Sequence, residues 1–249
     1  MLIQPLLDRL IQLRLPAFRD GLKEQLANPK YADLAFEERL ALLVDQEYTQ
    51  RHDRRIQRRV KQADFSQSAC IEDLDFSASR SLDRRLVLEL SQGIWIASHL
   101  NTLVLGPTGS GKTYLICALG LSACRADYKV RYFRTSRLFY QLAQSRQNGS
   151  FPELLANLAK LDLLILDDWM RDPVTASQSQ DLLEVFDDRF GRSSTLIASQ
   201  VPVADWFARF PDPTVGDGVL DRIIHNAYRL NVSGDSQRKI RSATLMSST

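Results

Sequence analysis

Apolar positions over the first 65 residues recur with a helical period. Ile3, Leu6, Leu7, Leu10 and Ile11 fall at i, i+3, i+4, i+7 and i+8, the spacing of one helix face. Pro16 interrupts the pattern, and Phe18, Leu22 and Leu26 resume it at intervals of four. Asn28 and Pro29 mark a turn. A longer helix is predicted from about Phe36, with Leu40, Leu43, Val44 and Tyr48 as its apolar face. Beyond Tyr48 that face gives way to arginine, with Ile56 and Val60 as exceptions, so the helix is expected to run out into solvent or onto a partner. A stretch rich in Ser, Asp and Ala, 66–81, reads as a linker, within which Ile71 to Phe76 is the candidate for a short ordered segment.

From about residue 82 the pattern changes. Short apolar runs at 102–105, 129–133, 161–166, 195–198 and 228–232 alternate with helical stretches. That alternation predicts a parallel sheet covered by helices on both faces. The expected organisation is a helical N-terminal domain for partner binding (1–65), a linker (66–81) and an α/β domain (82–249). Inside the latter, a helical excursion over 136–160 turns at Asn148 and Gly149, packed by Leu138, Leu142, Leu154, Leu155 and Leu158.

Composition adds little to this and excludes some classes. The 249 residues are 44% hydrophobic and 25% charged, values that argue against disorder for most of the chain. No run of about 18 apolar residues is present, so a membrane span is not expected. Charge appears too early at the N-terminus for a secretion signal. Cys70, Cys117 and Cys124 form no CxxC, and His52, His99 and His225 lie far apart; a reduced, cytoplasmic protein without a structural zinc site is expected. The net charge of +2 hides an asymmetry: residues 1–50 carry six Lys/Arg against eight Asp/Glu, whereas 51–65 carry six against two.

The sharpest chemical signal is Gly106, Pro107, Thr108, Gly109, Ser110, Gly111, Lys112 and Thr113, which match G-x-x-x-x-G-K-[ST]. The motif follows a predicted strand and opens a predicted helix. Gly109 and Gly111 let backbone N–H groups turn toward phosphate oxygens. Lys112 supplies a point charge to the β- and γ-phosphates, and Thr113 a hydroxyl for Mg²⁺. The helix N-terminus favours anions. A second apolar run ends in Asp167 and Asp168. Asp167 is expected to orient the metal and its waters, and Asp168 to act as general base toward the attacking water. Asp168 is one methylene shorter than the Glu many phosphate-loop enzymes place there.

Arg51, Arg54, Arg55 and Arg58 share a helical stripe suited to phosphate backbones, which gives salt-dependent binding with little sequence preference. The competing reading is a helix C-terminus made basic to match its dipole, opposite Glu37 and Glu38 at its start.

Taken together, these residues resemble the IstB/DnaC-like AAA+ ATPase family, the ATPase helpers of insertion sequences, over nearly the whole chain. The resemblance is carried by 106–113, 163–169, 194–203, 220–229 and 234–238, and most specifically by Ser-Gln-Val-Pro at 199–202 and by the segment from Asp221 to Arg229. An Asp-Asp pair is common in that family. Trp169, Met170 and Gln237 depart mildly from its pattern without removing a catalytic group.

The resemblance implies an α/β AAA+ P-loop NTPase fold with a five-stranded parallel sheet of order 5-1-4-3-2 and no C-terminal helical lid. It implies ATP hydrolysis with Mg²⁺ at subunit interfaces, self-assembly into a homo-oligomer on double-stranded DNA, and a transposase partner. It sets Ser199, beside Gln200, at the sensor-1 position, against a plain polar strand end. Arg222 becomes an arginine finger, against a helix-surface ion pair with Asp217 or Asp221, and Arg238 a second-sensor contact. A second DNA surface surrounds Arg134, Arg137 and Arg146, with Arg137 as its contact residue. A replicative helicase loader is the nearest alternative function. A phosphate-loop kinase for a small molecule is a different class, against which the arginine-finger segment and the basic helix argue.

Overall fold

The computed structural model describes residues 3–76 and 82–233. The chain divides into two compact units, Met1–Arg58 and Arg59–Thr249. The predictions for Arg238 and for the absence of a lid concern 234–249, outside the described residues.

The first unit holds α1 (Ile3–Gln12), α2 (Pro16–Ala27), a short 3₁₀ turn (Pro29–Tyr31) and the start of α3 (Phe36–Ala63). Its packing differs from the periodic reading. On α1 only Leu7 and Leu10 are buried, while Ile3, Leu6 and Ile11 are exposed. On α2 the buried row is Ala17, Gly21 and Gln25, one position round from the expected Phe18, Leu22 and Leu26. On α3 it is Leu43 and Glu47, while Leu40, Val44 and Tyr48 are exposed. The reason is the close approach of α2 to α3. A Cβ at Gly21 would lie 2.9 Å from Leu43 Cδ2, so the small row of α2 faces the seam and the larger row is displaced outward. Polar side chains complete the seam. The Gln25 amide donates to the Arg39 carbonyl at 2.9 Å, and Glu47 accepts from the Phe18 N–H at 3.0 Å and from Arg51 Nε at 2.6 Å.

The second unit is the expected sheet with helices on both faces. Its strands are β1 (Asn101–Leu105), β2 (Val130–Arg134), β3 (Leu163–Asp167), β4 (Ser194–Ser199) and β5 (Ala227–Asn231). They are all parallel, in the order β2-β3-β4-β1-β5. The helices are α4 (Arg84–Ser91), α5 (Ile94–Ala97), α6 (Lys112–Arg125), α7 (Thr135–Asn148), α8 (Phe151–Ala159), α9 (Ala176–Arg189) and α10 (Pro213–Ile224). Central strands bury both faces, as a doubly covered parallel sheet requires: β3 and β4 are buried throughout. One core gathers α4 and α6 around Val104, Ile116, Ile165 and Ala198. The other gathers α7 to α10 around Leu103, Leu142, Leu164, Leu182 and Val219.

The excursion at 136–160 is two helices, α7 and α8, with Leu138, Leu142 and Leu158 buried between them and the sheet. Arg146 does not face outward as a free cation. Its guanidinium pairs with Asp181 at 2.6 Å and Glu184 at 2.9 Å and lies 3.7 Å over the Phe151 ring, so it fastens α7 to α8 and α9. The stretch expected as a linker is also corrected over its described part. Ala69, Ile71 and Leu74 are buried in the sheet core, with Phe65 and Phe76 packed beside them. The segment from Ile71 to Phe76 agrees with the short ordered stretch expected there, while its packing into the sheet core is hidden by the polar residues around so few apolar ones.

Candidate nucleotide site

All five strands end on one edge of the sheet, and the phosphate-loop motif joins β1 to α6 at that edge. The loop's form follows from its glycines. Gly106 runs at φ +158°, where a Cβ would lie 2.0 Å from the Val232 carbonyl oxygen, so β5 and the loop can close on each other only past a glycine. Gly109 and Gly111 both have positive φ, and Gly111 caps α6. Lys112 Nζ donates to the Gly106 and Pro107 carbonyls, each at 2.8 Å, so the ammonium lies across the loop. Thr108 is hydrogen-bonded to Gln200 at the end of β4.

The two carboxylates meet this loop from β3. Asp167 is 2% exposed, and its Oδ2 accepts from Thr113 Oγ1 at 2.8 Å and from the Tyr132 hydroxyl at 2.9 Å. Its Oδ1 accepts from the Asp168 N–H at 2.9 Å, and its carbonyl accepts from Thr135 Oγ1 at 2.9 Å. Burial, and then the Asp167 carboxylate, push the Tyr132 phenol well above its ordinary value, so it stays a donor. A hydroxyl and a carboxylate oxygen 2.8 Å apart beside the phosphate loop are a donor set that fits Mg²⁺, a cation that takes few protein oxygens along with phosphates and water.

Asp168 follows in the left-handed region, at φ +55°, and Met170 also, at +52°. Such backbone costs about 1–3 kcal/mol per residue and needs support from its surroundings. The support is Trp169, fully buried against Phe186 and Trp206, with its backbone N–H donating to the Ala198 carbonyl at 2.9 Å. Its carbonyl accepts from Ser199 Oγ at 2.8 Å. The expected sensor-1 role of Ser199 is therefore corrected. Its hydroxyl is fully buried, bonded to Trp169 and to the Val201 N–H at 3.0 Å, and it backs the loop that carries Asp168. Gln200 is the polar side chain of that pair which reaches the phosphate loop.

These groups border a cleft of about 280 Å³ that includes Gly109, Lys112, Thr113, Asp167, Asp168 and Gln200. Three further contributions were not legible in the sequence. Tyr132 sits inside an ordinary strand run; Asp73 and Asp75 line the cleft from the segment read as a linker; and Arg134 lines it from the end of β2.

Arg222 does not join this cleft. It lies on α10, with Asn101 Nδ2 donating to its carbonyl at 3.0 Å. Asn101 opens β1 and the phosphate loop follows its end, so ~13 Å of strand separates them. The guanidinium is ion-paired with Asp187 of α9, rather than with Asp217 or Asp221, and donates to the Gly218 carbonyl at 2.6 Å.

Comparison with known proteins agrees with this geometry. The family described as IstB-like ATP binding protein matches residues 8–244. The chain belongs to that family. Among relatives, y4pL of Sinorhizobium fredii (strain NBRC 101917 / NGR234), named as an insertion sequence ATP-binding protein, is 41% identical over 239 residues, 96% of this chain and 98% of that one. The protein of Pseudomonas fluorescens named as the ATP-binding protein of insertion sequence IS1162 is 46% identical over 219 residues, 86% and 95% of the two chains. Among solved structures, the DnaC helicase loader matches 68% of this chain and 98% of its own at TM-score 0.56 and 16% identity. AMPPCP-bound DnaA from Aquifex aeolicus matches 74% and 56% at TM-score 0.58 and 18% identity. At those identities the structures share the fold, an AAA+ P-loop domain. Among the described residues no helix is long and apolar enough to cross a membrane.

In the first unit, the basic stripe divides. Arg51 is held by Glu47 at 2.6 Å and by the Arg14 carbonyl at 2.5 Å, where it joins α3 to the end of α1. Arg54, Arg55 and Arg58 are exposed, as is Arg137 on α7.

Proposed function

We propose that this chain is an Mg²⁺-dependent AAA+ ATPase that assembles as a homo-oligomer on double-stranded DNA, deforms it, and recruits and activates the transposase of the same insertion sequence. The observation that supports the reading is that the residues proposed as one catalytic set lie at two ends of the sheet. Lys112, Thr113, Asp167 and Asp168 share one cleft, while Arg222 lies at the opposite edge. An arginine so far from its own cleft serves hydrolysis only by meeting a neighbour's cleft, which makes assembly part of the chemistry.

In this reading the phosphate loop and Lys112 hold the triphosphate, and Gln200 watches its terminal end. Mg²⁺, held by Thr113 and Asp167, would offset negative charge on the β- and γ-phosphate oxygens. Asp168 takes the proton of the attacking water. The neighbour's Arg222 leaves Asp187 and stabilises charge spreading over the transferred phosphoryl oxygens. Relatives named as ATP-binding proteins of insertion sequences support the transposition context. Arg54, Arg55 and Arg58 supply the sequence-tolerant contacts to DNA phosphates, with Arg137 as a second contact.

The test is ATP turnover with and without duplex DNA at two salt concentrations. Strong stimulation that fades with salt is expected. Replacing Arg54, Arg55 and Arg58 together by Ala should weaken DNA binding for every sequence and lower the salt slope by about 0.9 per lost contact. Turnover indifferent to DNA, with phosphate transferred to an added acceptor, would support a kinase instead.

A further inference from the structure

Arg134 ends β2, and the sequence groups it with Arg137 on a DNA surface. Its placement argues otherwise. Side chains alternate along a strand, and Tyr132, two residues earlier, reaches the Asp167 carboxylate. Arg134 therefore leaves the sheet on the same face, the one covered by the phosphate loop and α6. In the strand register it is level with Asp167, one strand spacing of about 4.8 Å away. Its side chain is exposed and borders the cleft together with Lys112, Asp168 and Gln200.

Arg134 also borders a second cavity, of about 690 Å³, with Arg131 and Arg137. Arg131 is committed elsewhere: it donates to the Gln62 carbonyl at 2.7 Å and pairs with Asp64 at 3.2 Å. Arg137 points from the first turn of α7 and borders only this second cavity of the two. Of the three arginines, Arg134 alone borders the phosphate cleft.

We propose that Arg134 reads the terminal phosphate of the nucleotide within its own subunit, and so distinguishes the triphosphate from the diphosphate. The inference rests on the nucleotide reading of the cleft. The charge logic is local. Lys112 lies at the root of the loop, whereas Arg134 stands at the Asp167 and Asp168 end, where a third phosphate would add charge. A guanidinium fork matches two phosphate oxygens at once.

The experiment is equilibrium binding of AMPPNP and ADP, in Mg²⁺ and without DNA, to the full chain and to Arg134→Ala, Arg134→Lys and Lys112→Ala. Arg134→Ala should weaken AMPPNP by about tenfold or more while ADP stays within about twofold, the loss of a charge-assisted hydrogen bond confined to one phosphate. Arg134→Lys, which keeps the charge without the fork, should fall between. Lys112→Ala should weaken both nucleotides. Equal loss of both nucleotides in Arg134→Ala would overturn the proposal, and so would unchanged nucleotide binding with weakened DNA binding, which would return Arg134 to the DNA surface. If the unmodified chain binds neither nucleotide, the nucleotide reading falls and this inference with it. If binding depends on Lys112 but not on Arg134, only this inference falls.

Discussion

Asp167 meets four demands at once: Thr113 and Tyr132 on one carboxylate oxygen, the Asp168 N–H on the other, and Thr135 on its carbonyl. The carboxylate is thereby fixed in place, and the same bonds set the start of the strained turn at Asp168; in the proposed function it is a ligand of Mg²⁺. Groups that orient a metal ligand are typically worth about 10–100-fold in metal affinity. Tyr132→Phe should therefore weaken Mn²⁺ binding to the ADP-loaded protein by about that factor, measured by electron paramagnetic resonance titration. ADP affinity in the absence of divalent cation should not change. Equal Mn²⁺ affinity in both proteins would leave Tyr132 a packing residue. The phosphate loop and the acidic pair are legible in the sequence because they are local: glycines, a lysine and carboxylates at fixed offsets. Tyr132 and Arg134 are brought to the cleft by strand register, and no local pattern encodes which strands become neighbours.

At the scale of elements the same contrast separates the two units. The five strands are readable because a doubly covered sheet turns each into an apolar run, and each lies within about two residues of its predicted position. In the first unit, three helices have too little neighbouring surface to bury every apolar residue. Close approach at Gly21 then decides which row turns inward. The outcome includes a buried carboxylate, Glu47, that no hydrophobic pattern would announce. Burial raises the Glu47 pKa, but the hydrogen bonds from Arg51 and from the Phe18 N–H outweigh it, and the net shift is below the ordinary 4.5. A carboxylate depressed on folding contributes stability that is present above its unfolded value and lost as pH falls through its folded one. Thermal midpoints measured from pH 7 down to pH 3 should thus fall more steeply for the unmodified protein than for Glu47→Gln, and the two should converge in acid. At pH 7 the variant should melt lower, by about 4–8 °C for each kcal/mol lost in a unit of this size. Parallel curves across the range would mean that Glu47 is not ionised in the folded unit. Arg189 is the corresponding surprise in the second unit: almost fully buried, it donates to the carbonyls of Leu158, Leu161 and Ser194, and burial lowers its pKa to about 10.

For the molecule as a whole, hydrolysis turns on whether one subunit completes another's site. Arg222→Ala keeps its own phosphate loop and Asp168, so nucleotide binding should survive while hydrolysis falls by about 10³–10⁵, the range seen for arginines supplied in trans. Asp168→Asn keeps its own Arg222 and should hold nucleotide without turning it over. The decisive measurement is ATP hydrolysis after mixing these two inactive proteins on duplex DNA, with subunit exchange verified by fluorescence energy transfer between labelled copies. At an interface that joins the cleft of Arg222→Ala to the arginine of Asp168→Asn, a complete set reappears, and hydrolysis should recover to a substantial fraction of the unmodified rate. Exchange without any recovery would mean that Arg222 does not complete a neighbour's site, and would overturn hydrolysis shared between subunits.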